Sequence, residues 1–167
     1  MGERSYFEEA LHSFTMDVAG LSAVRHLTDL GLSVTEIEKE LLFPVPRSEI
    51  RKAVWERLLS TRMILLEDPK KVRSPEKATY VKEQGKYGRT SFRRVIVRDE
   101  EWVSPEDYEE ADFGLYEGEE LEKRLLEAGL SESERDYVRS LPWPGQIVYV
   151  KREGKLWLFL EKLRKAK

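Results

Sequence analysis

The chain predicts an α+β fold: an N-terminal half of three helices and a β-hairpin, then a small α+β C-terminal half with two short helices and a second β-hairpin. Three observations predict it. Ser33/Glu36 and Ser131/Glu134 have the S-x-x-E spacing of a capping box, in which each side chain satisfies an orphan amide of a first helical turn. The break Phe43-Pro44-Val45-Pro46 cannot be helical, so it separates two helices by a tight turn. Strand-forming residues Tyr80, Val81, Phe92, Val95, Ile96 and Val97 flank Gly85 and Gly88, the pattern of a hairpin.

Taken in order, residues 5–14 read as a short helix or arm with Phe7, Leu11 and Phe14 on one side, and Ser13 or Thr15 can cap the next helix. Val18, Leu21, Ala23, Val24, Leu27 and Leu30 mark that first core helix, which Gly31 ends as a left-handed cap. His12 and His26 lack the spacing of a metal site. Ser33 opens a short helix with Val34, Ile37 and Leu41 on one face. Pro46 suits the first position of a longer helix, because its missing amide would be unpaired there anyway. Ile50, Ala53, Val54 and Leu58 give that helix a buried stripe, while Arg47, Ser48, Arg51, Lys52 and Trp55 fall away from it. Met63 to Leu66 is extended and, with the hairpin, predicts a three-stranded antiparallel meander. Either the loop 68–78 or the tip 84–89 can form a wing. The tip is favoured, since Lys86, Tyr87, Arg89, Arg93 and Arg94 surround it and its glycines permit close approach.

In the second half, Trp102, Tyr108, Phe113, Leu115 and Tyr116 interleave with acids, so the acidic stretch 99–122 is expected to pack. A helix from Gly118 or Glu119 runs through Leu125 and stops at Gly129, and a second follows over 133–141. Gln146–Lys151 and Lys155–Leu160 are expected to be strands joined at Arg152-Glu153-Gly154. The tail is expected to fray. The halves divide near 99–105, giving units of 1–98 and 99–167.

A capped helix, a tight turn and a second helix with a basic outer face form a helix-turn-helix pattern, with an extended segment after it. Through Glu36-Ile37, Leu41, Ile50, Val54, Leu58 and Met63-Ile64 the segment 15–98 resembles the winged helix-turn-helix superfamily. The resemblance implies a double-stranded DNA partner, with the second helix in the major groove and a role in transcription regulation. Arg47, Ser48 and Arg51 would read base edges; Lys52 and Arg57 would lie nearer phosphates; Lys86, Arg89, Arg93 and Arg94 would contact DNA from the wing.

Composition bounds the rest. The chain has 167 residues, 40% hydrophobic and 37% charged, and no cysteine, which excludes disulfides, zinc-thiolate sites and thiol nucleophiles. No apolar run is long enough to span a bilayer, and Met1 to Ala10 has acids where a signal peptide needs an apolar core, so a cytoplasmic protein without membrane contact is expected. The net charge of −3 is segregated. Residues 47–98 carry 15 basic and 6 acidic side chains, net +9; residues 99–122 carry 12 acids and no base; residues 137–167 carry 8 basic and 2 acidic, net +6. A basic block beginning at the second helix suits a polyanion. No phosphate-binding glycine loop, H-E-x-x-H or G-x-S-x-G is present, and Glu153-Gly154-Lys155 is read as chance rather than a nuclease site. Neither an enzyme nor a cofactor is expected. The alternative is a winged-helix protein–protein interaction module without DNA binding, its basic face covered by 99–122. In the DNA-binding reading the acidic and aromatic C-terminal half would serve a homodimer, another protein partner or modulation of the basic face.

Overall fold

The computed structural model describes residues 18–71, 75–98, 102–116 and 118–166. The arm at 5–14, the caps Ser13 and Thr15, and His12 lie outside the described residues.

Helix α1, described over 18–29, ends where Gly31 turns to φ +80°. The Leu32 amide reaches back to the Leu27 carbonyl at 3.2 Å and the Gly31 amide to Thr28 at 2.9 Å, which satisfies two carbonyls at the helix end. Ser33 then caps α2 (Val34–Glu40). Its hydroxyl accepts the Glu36 amide at 3.3 Å, and its own amide donates to the Glu36 carboxylate at 2.7 Å. Pro46 sits one position earlier than the sequence places it, as the N-cap of α3 (Arg47–Ser60), with its carbonyl accepting the Glu49 and Ile50 amides. The predicted stripe Ile50, Ala53, Val54 and Leu58 is buried.

After α3 the chain departs from expectation. Strand β1 (Ile64–Leu65) does not join the hairpin β2 (Glu76–Gln84) and β3 (Thr90–Arg98), which form a separate two-stranded ribbon. It pairs antiparallel with β5 (Val148–Lys151), Ile64 opposite Val150, and β5 pairs on its other edge with β4 (Tyr108–Ala111). The reason is burial: Ile64, Val148 and Val150 all lie in the core, and a ribbon that is exposed along its length offers Ile64 no such partner. The predicted meander is therefore replaced by the sheet order β1-β5-β4.

The expected helices form as α4 (Gly118–Glu127) and α5 (Glu132–Ser140), the latter with a complete Ser131/Glu134 capping box. The expected strand 155–160 is instead the start of α6 (Gly154–Lys165), and residues 161–165 of the tail expected to fray lie within it. Leu156, Phe159 and Leu160 are buried with Leu163 partly so, an i, i+3, i+4, i+7 stripe that only a helix brings to one face. The buried residues on both sides of 98, from Val24 to Leu160, form one cluster, and among the described residues the fold is α+β with six helices and two small sheets.

The two capping boxes predict an acid dependence of stability. Hydrogen bonds from the Ser33 amide to Glu36, and from Lys162 and the Ser131 amide to Glu134, hold both carboxyls below their ordinary 4.5. A carboxyl with its folded pKa depressed contributes stability that is complete above its unfolded pKa and is lost as pH falls through the folded one. Thermal melts across about pH 3–6 should therefore show a steep decline below about 4.5. The Glu36→Gln/Glu134→Gln double variant, which keeps the amide acceptor, should show a shallower one. Ser33→Ala should cost about 1 kcal/mol at neutral pH.

Candidate nucleic-acid interface

The outer face of α3 is largely engaged within the fold. The Arg51 Nε donates to the Ser140 carbonyl at 2.5 Å. Arg47 bridges two helices: its guanidinium meets Glu38 at 2.8 Å and the Thr35 hydroxyl at 3.1 Å on α2, and Asp136 of α5 at 3.9 Å. Arg57 is held in a two-pronged pair by Asp29 at 2.8 and 2.7 Å, and this pair keeps the Asp29 carboxyl below its ordinary value. Trp55 is half-buried with its ring edge-on to Trp143, 5.3 Å between centroids. Ser48 and Lys52 remain exposed, Lys52 within 3.8 Å of Glu56 one turn on. The groups meeting this face, at 29, 35, 38, 136, 140 and 143, lie outside the acidic stretch 99–122.

That stretch is built into the body. Tyr108 and Phe113 are buried, and the Tyr108 hydroxyl donates to the Arg62 carbonyl at 2.7 Å. The Glu109 carboxylate receives Arg164, Arg152 at 3.8 Å and the Trp157 indole N–H at 3.2 Å. Asp112 pairs with Arg124 at 3.4 Å, and Arg124 also lies 4.0 Å over the Tyr116 ring. Glu122 faces Arg135 and Arg139 on α5 at 3.6 and 3.5 Å. Thus the acids meet the basic residues of the C-terminal half, while Glu106, Asp107, Glu110, Glu119 and Glu120 face solvent.

The ribbon β2–β3 is the contrasting element. Every residue of β2 is exposed, and in β3 only Val95 is half-buried. Nine residues per strand give it a length of about 30 Å. Residues 76–98 carry seven basic and two acidic side chains, net +5, so the remainder of the chain carries −8. The register assigns the side chains to two faces. On one, Tyr80 stands opposite Arg94 and Lys82 opposite Phe92, with Ile96 and Arg98 toward the base. On the other, Val81 stands opposite Arg93 and Thr79 opposite Val95, with Val97 beyond, and Arg93 is neutralised by Glu83 at 2.8 Å. Tyr80 and Phe92 are 66% and 68% exposed, far more than stranded aromatics facing a core.

At the tip the Gly85 amide donates to the Arg89 carbonyl at 2.8 Å, and Tyr87 and Gly88 both take the left-handed conformation, at φ +70° and +71°. Glycine does so freely, but an aromatic residue there is an outlier of the kind that gathers at functional sites. Tyr87 is fully exposed beside Lys86 and Arg89. Of the sequence-predicted residues, the fold thus gathers Lys86, Arg89, Arg93 and Arg94 on the ribbon. It holds Arg47 and Arg51 against α5. Lys82, Arg98 and the display of Tyr80 and Phe92 escaped sequence reading; the signal was the two-residue alternation of rings and cations on both strands.

No protein-family model matches the chain, and neither a curated protein nor a solved structure matches it at a significant level. No helix among the described residues is long and apolar enough to cross a membrane, and no group of three or more histidine or acidic side chains among them is placed to hold a metal ion.

Proposed function

We propose that the protein binds nucleic acid, with α1–α3 and the ribbon serving as the helical base and wing of a winged-helix arrangement, and with the ribbon as the principal contact. The observation that carries this reading is the exposed ribbon of net +5 on a chain of net −3, displaying aromatic rings among its cations. An acidic body repels a polyanion, so contact through the basic ribbon alone keeps the rest of the chain away from it. Lys86, Arg89 and Arg94 supply phosphate contacts, and Ser48 and Lys52 are the α3 residues open to a ligand. Arg93 joins them once Glu83 is displaced.

Fluorescence anisotropy on labelled random-sequence duplex and single strands, across a salt series, tests this. Affinity should fall as roughly the 0.7–0.9 power of salt per phosphate contact. Replacing Lys86, Arg89 and Arg94 together by alanine should weaken binding to all sequences and flatten the salt slope by about 1 per lost contact. Replacing Lys39, Lys123 and Lys165, which removes the same charge from the body, should change little. Folded protein that binds neither probe at low salt ends the reading.

A second reading, a protein–protein interaction module, is favoured by a different observation: the aliphatic ribbon face Val81, Val95 and Val97, on which Arg93 is paired with Glu83. Binding to a protein through that face would persist at high salt, where nucleic-acid binding is lost.

A further inference from the structure

We infer that the ribbon's ligand is single-stranded rather than duplex nucleic acid, its bases stacking on Tyr80 and Phe92. This inference rests on the nucleic-acid reading and names the class of ligand at the same surface. The carrying observation is the arrangement of four side chains on one face. Tyr80 is directly opposite Arg94, and Phe92 is directly opposite Lys82. Direct cross-strand neighbours stand ~5 Å apart and diagonal ones ~7–8 Å. Each ring therefore has a cation beside it, and the two ring–cation units are diagonal neighbours along the ribbon.

A nucleotide presents one base face and one phosphate. Two such units accept two successive nucleotides, each base on a ring and each phosphate toward the adjacent cation. Base–aromatic stacking tolerates any base, because every base has a π-face. In a duplex those faces are already covered by the neighbouring base pairs, so the rings would have nothing to stack on. Cations alone, without exposed rings, would serve a duplex backbone. The exposed ring of Tyr87 at the tip provides a third platform beside Lys86 and Arg89. The rings also account for their own exposure: without a ligand, two large apolar side chains two-thirds in water contribute nothing to the body's core.

Anisotropy with the full chain, using a short labelled oligothymidylate and a blunt duplex of equal length, provides the test. The oligothymidylate should bind at least about tenfold tighter. Tyr80→Ala and Phe92→Ala should each weaken it by about 5- to 150-fold, the fold-change equivalent to ~1–3 kcal/mol per stacked base at 1.4 kcal/mol per tenfold. Tyr80→Phe keeps the ring and should restore most of the affinity, which separates stacking from damage to the ribbon. Ultraviolet crosslinking of a bromouracil-substituted strand should map to Tyr80, Tyr87 or Phe92. Duplex bound as tightly as the oligothymidylate, with the ring variants indifferent, overturns the single-strand inference while leaving nucleic-acid binding intact. Neither probe binding to folded protein overturns both. Loss on Tyr80→Ala of a dimer seen in solution, or of binding to phosphatidylserine vesicles, without any oligonucleotide affinity would instead assign the face to a second copy or to a lipid surface and overturn the inference.

Discussion

Trp143→Ala should destabilise the protein by about 3–5 kcal/mol, a large part of the ~5–15 kcal/mol that a domain possesses. Trp143 is the joint between three segments distant in sequence. Its ring lies edge-on to Trp55 of α3 at 5.3 Å and tilted against Phe113 at 4.8 Å, and its indole N–H donates to the Val138 carbonyl of α5 at 2.6 Å. Phe113 is 2% exposed, so truncating its neighbour leaves a cavity that the surrounding backbone can fill only by moving. Each aromatic pair adds ~0.5–1.5 kcal/mol beyond area burial. Trp143→Phe keeps one aromatic ring and loses the N–H and the second ring of the indole, so its cost should lie below that of alanine. Urea unfolding of the two variants checks this. An alanine variant within about 1 kcal/mol of the parent would mean that α3 and the C-terminal half are not joined through this ring.

What could be read from the sequence was what local chemistry determines. Ser33 with Glu36, Ser131 with Glu134, and Gly31 and Gly129 at helix ends act within one turn, and each is found where its spacing places it. The hairpin is local too: Gly88, at φ +71°, sits in its turn, and alternation fixes the register. The errors fall where the deciding partner is remote. Ile64 could choose between a neighbouring hairpin and β5, and only the core position of Val150 decides it. Leu156 to Leu160 is a nearly continuous apolar run, which suits a strand as well as a helix until Leu163 extends the helical stripe.

The site divides in the same way. That residues 47–98 form a basic block is visible in composition. Which cations are left unengaged is not, because Arg51 is held by a carbonyl 89 residues further along and Arg47, though exposed, is held by Glu38 of α2 at 2.8 Å with Asp136 of α5 at 3.9 Å. Helix spacing alone gave Arg51 and Trp55 an outward face, and α5 with the turn at 141–145 meets that face. The ribbon has no such cover, so there the sequence pattern and the exposed surface coincide.

Gly114→Ala should be the most damaging glycine-to-alanine change among the described residues. A Cβ built on Gly114 would sit 1.8 Å from the Pro144 carbonyl oxygen, 2.8 Å from the Pro144 carbonyl carbon and 3.0 Å from the Trp143 Cβ. The obstacle is backbone, which cannot rotate aside as a side-chain end can. The blocked carbonyl belongs to a proline, whose φ is fixed by its ring. Relief thus requires the segments around 114 and 144 to separate, and that pulls Phe113 away from Trp143. Overpacking of a core costs about 1–3 kcal/mol when side chains can adjust, and the cost here should exceed that range. Gly85→Ala is the matched control. Its φ is −82° and its Cβ would meet only the Arg89 carbonyl oxygen at 3.5 Å, an ordinary contact, so stability should be nearly unchanged. Urea titration followed by tryptophan fluorescence compares the two. The expected result is a cooperative transition near the parental midpoint for Gly85→Ala and a much lowered or absent one for Gly114→Ala. Parental stability of Gly114→Ala would show that the chain does not pass this close to Pro144, and the tilted packing of Phe113 against Trp143 would lose its support with it.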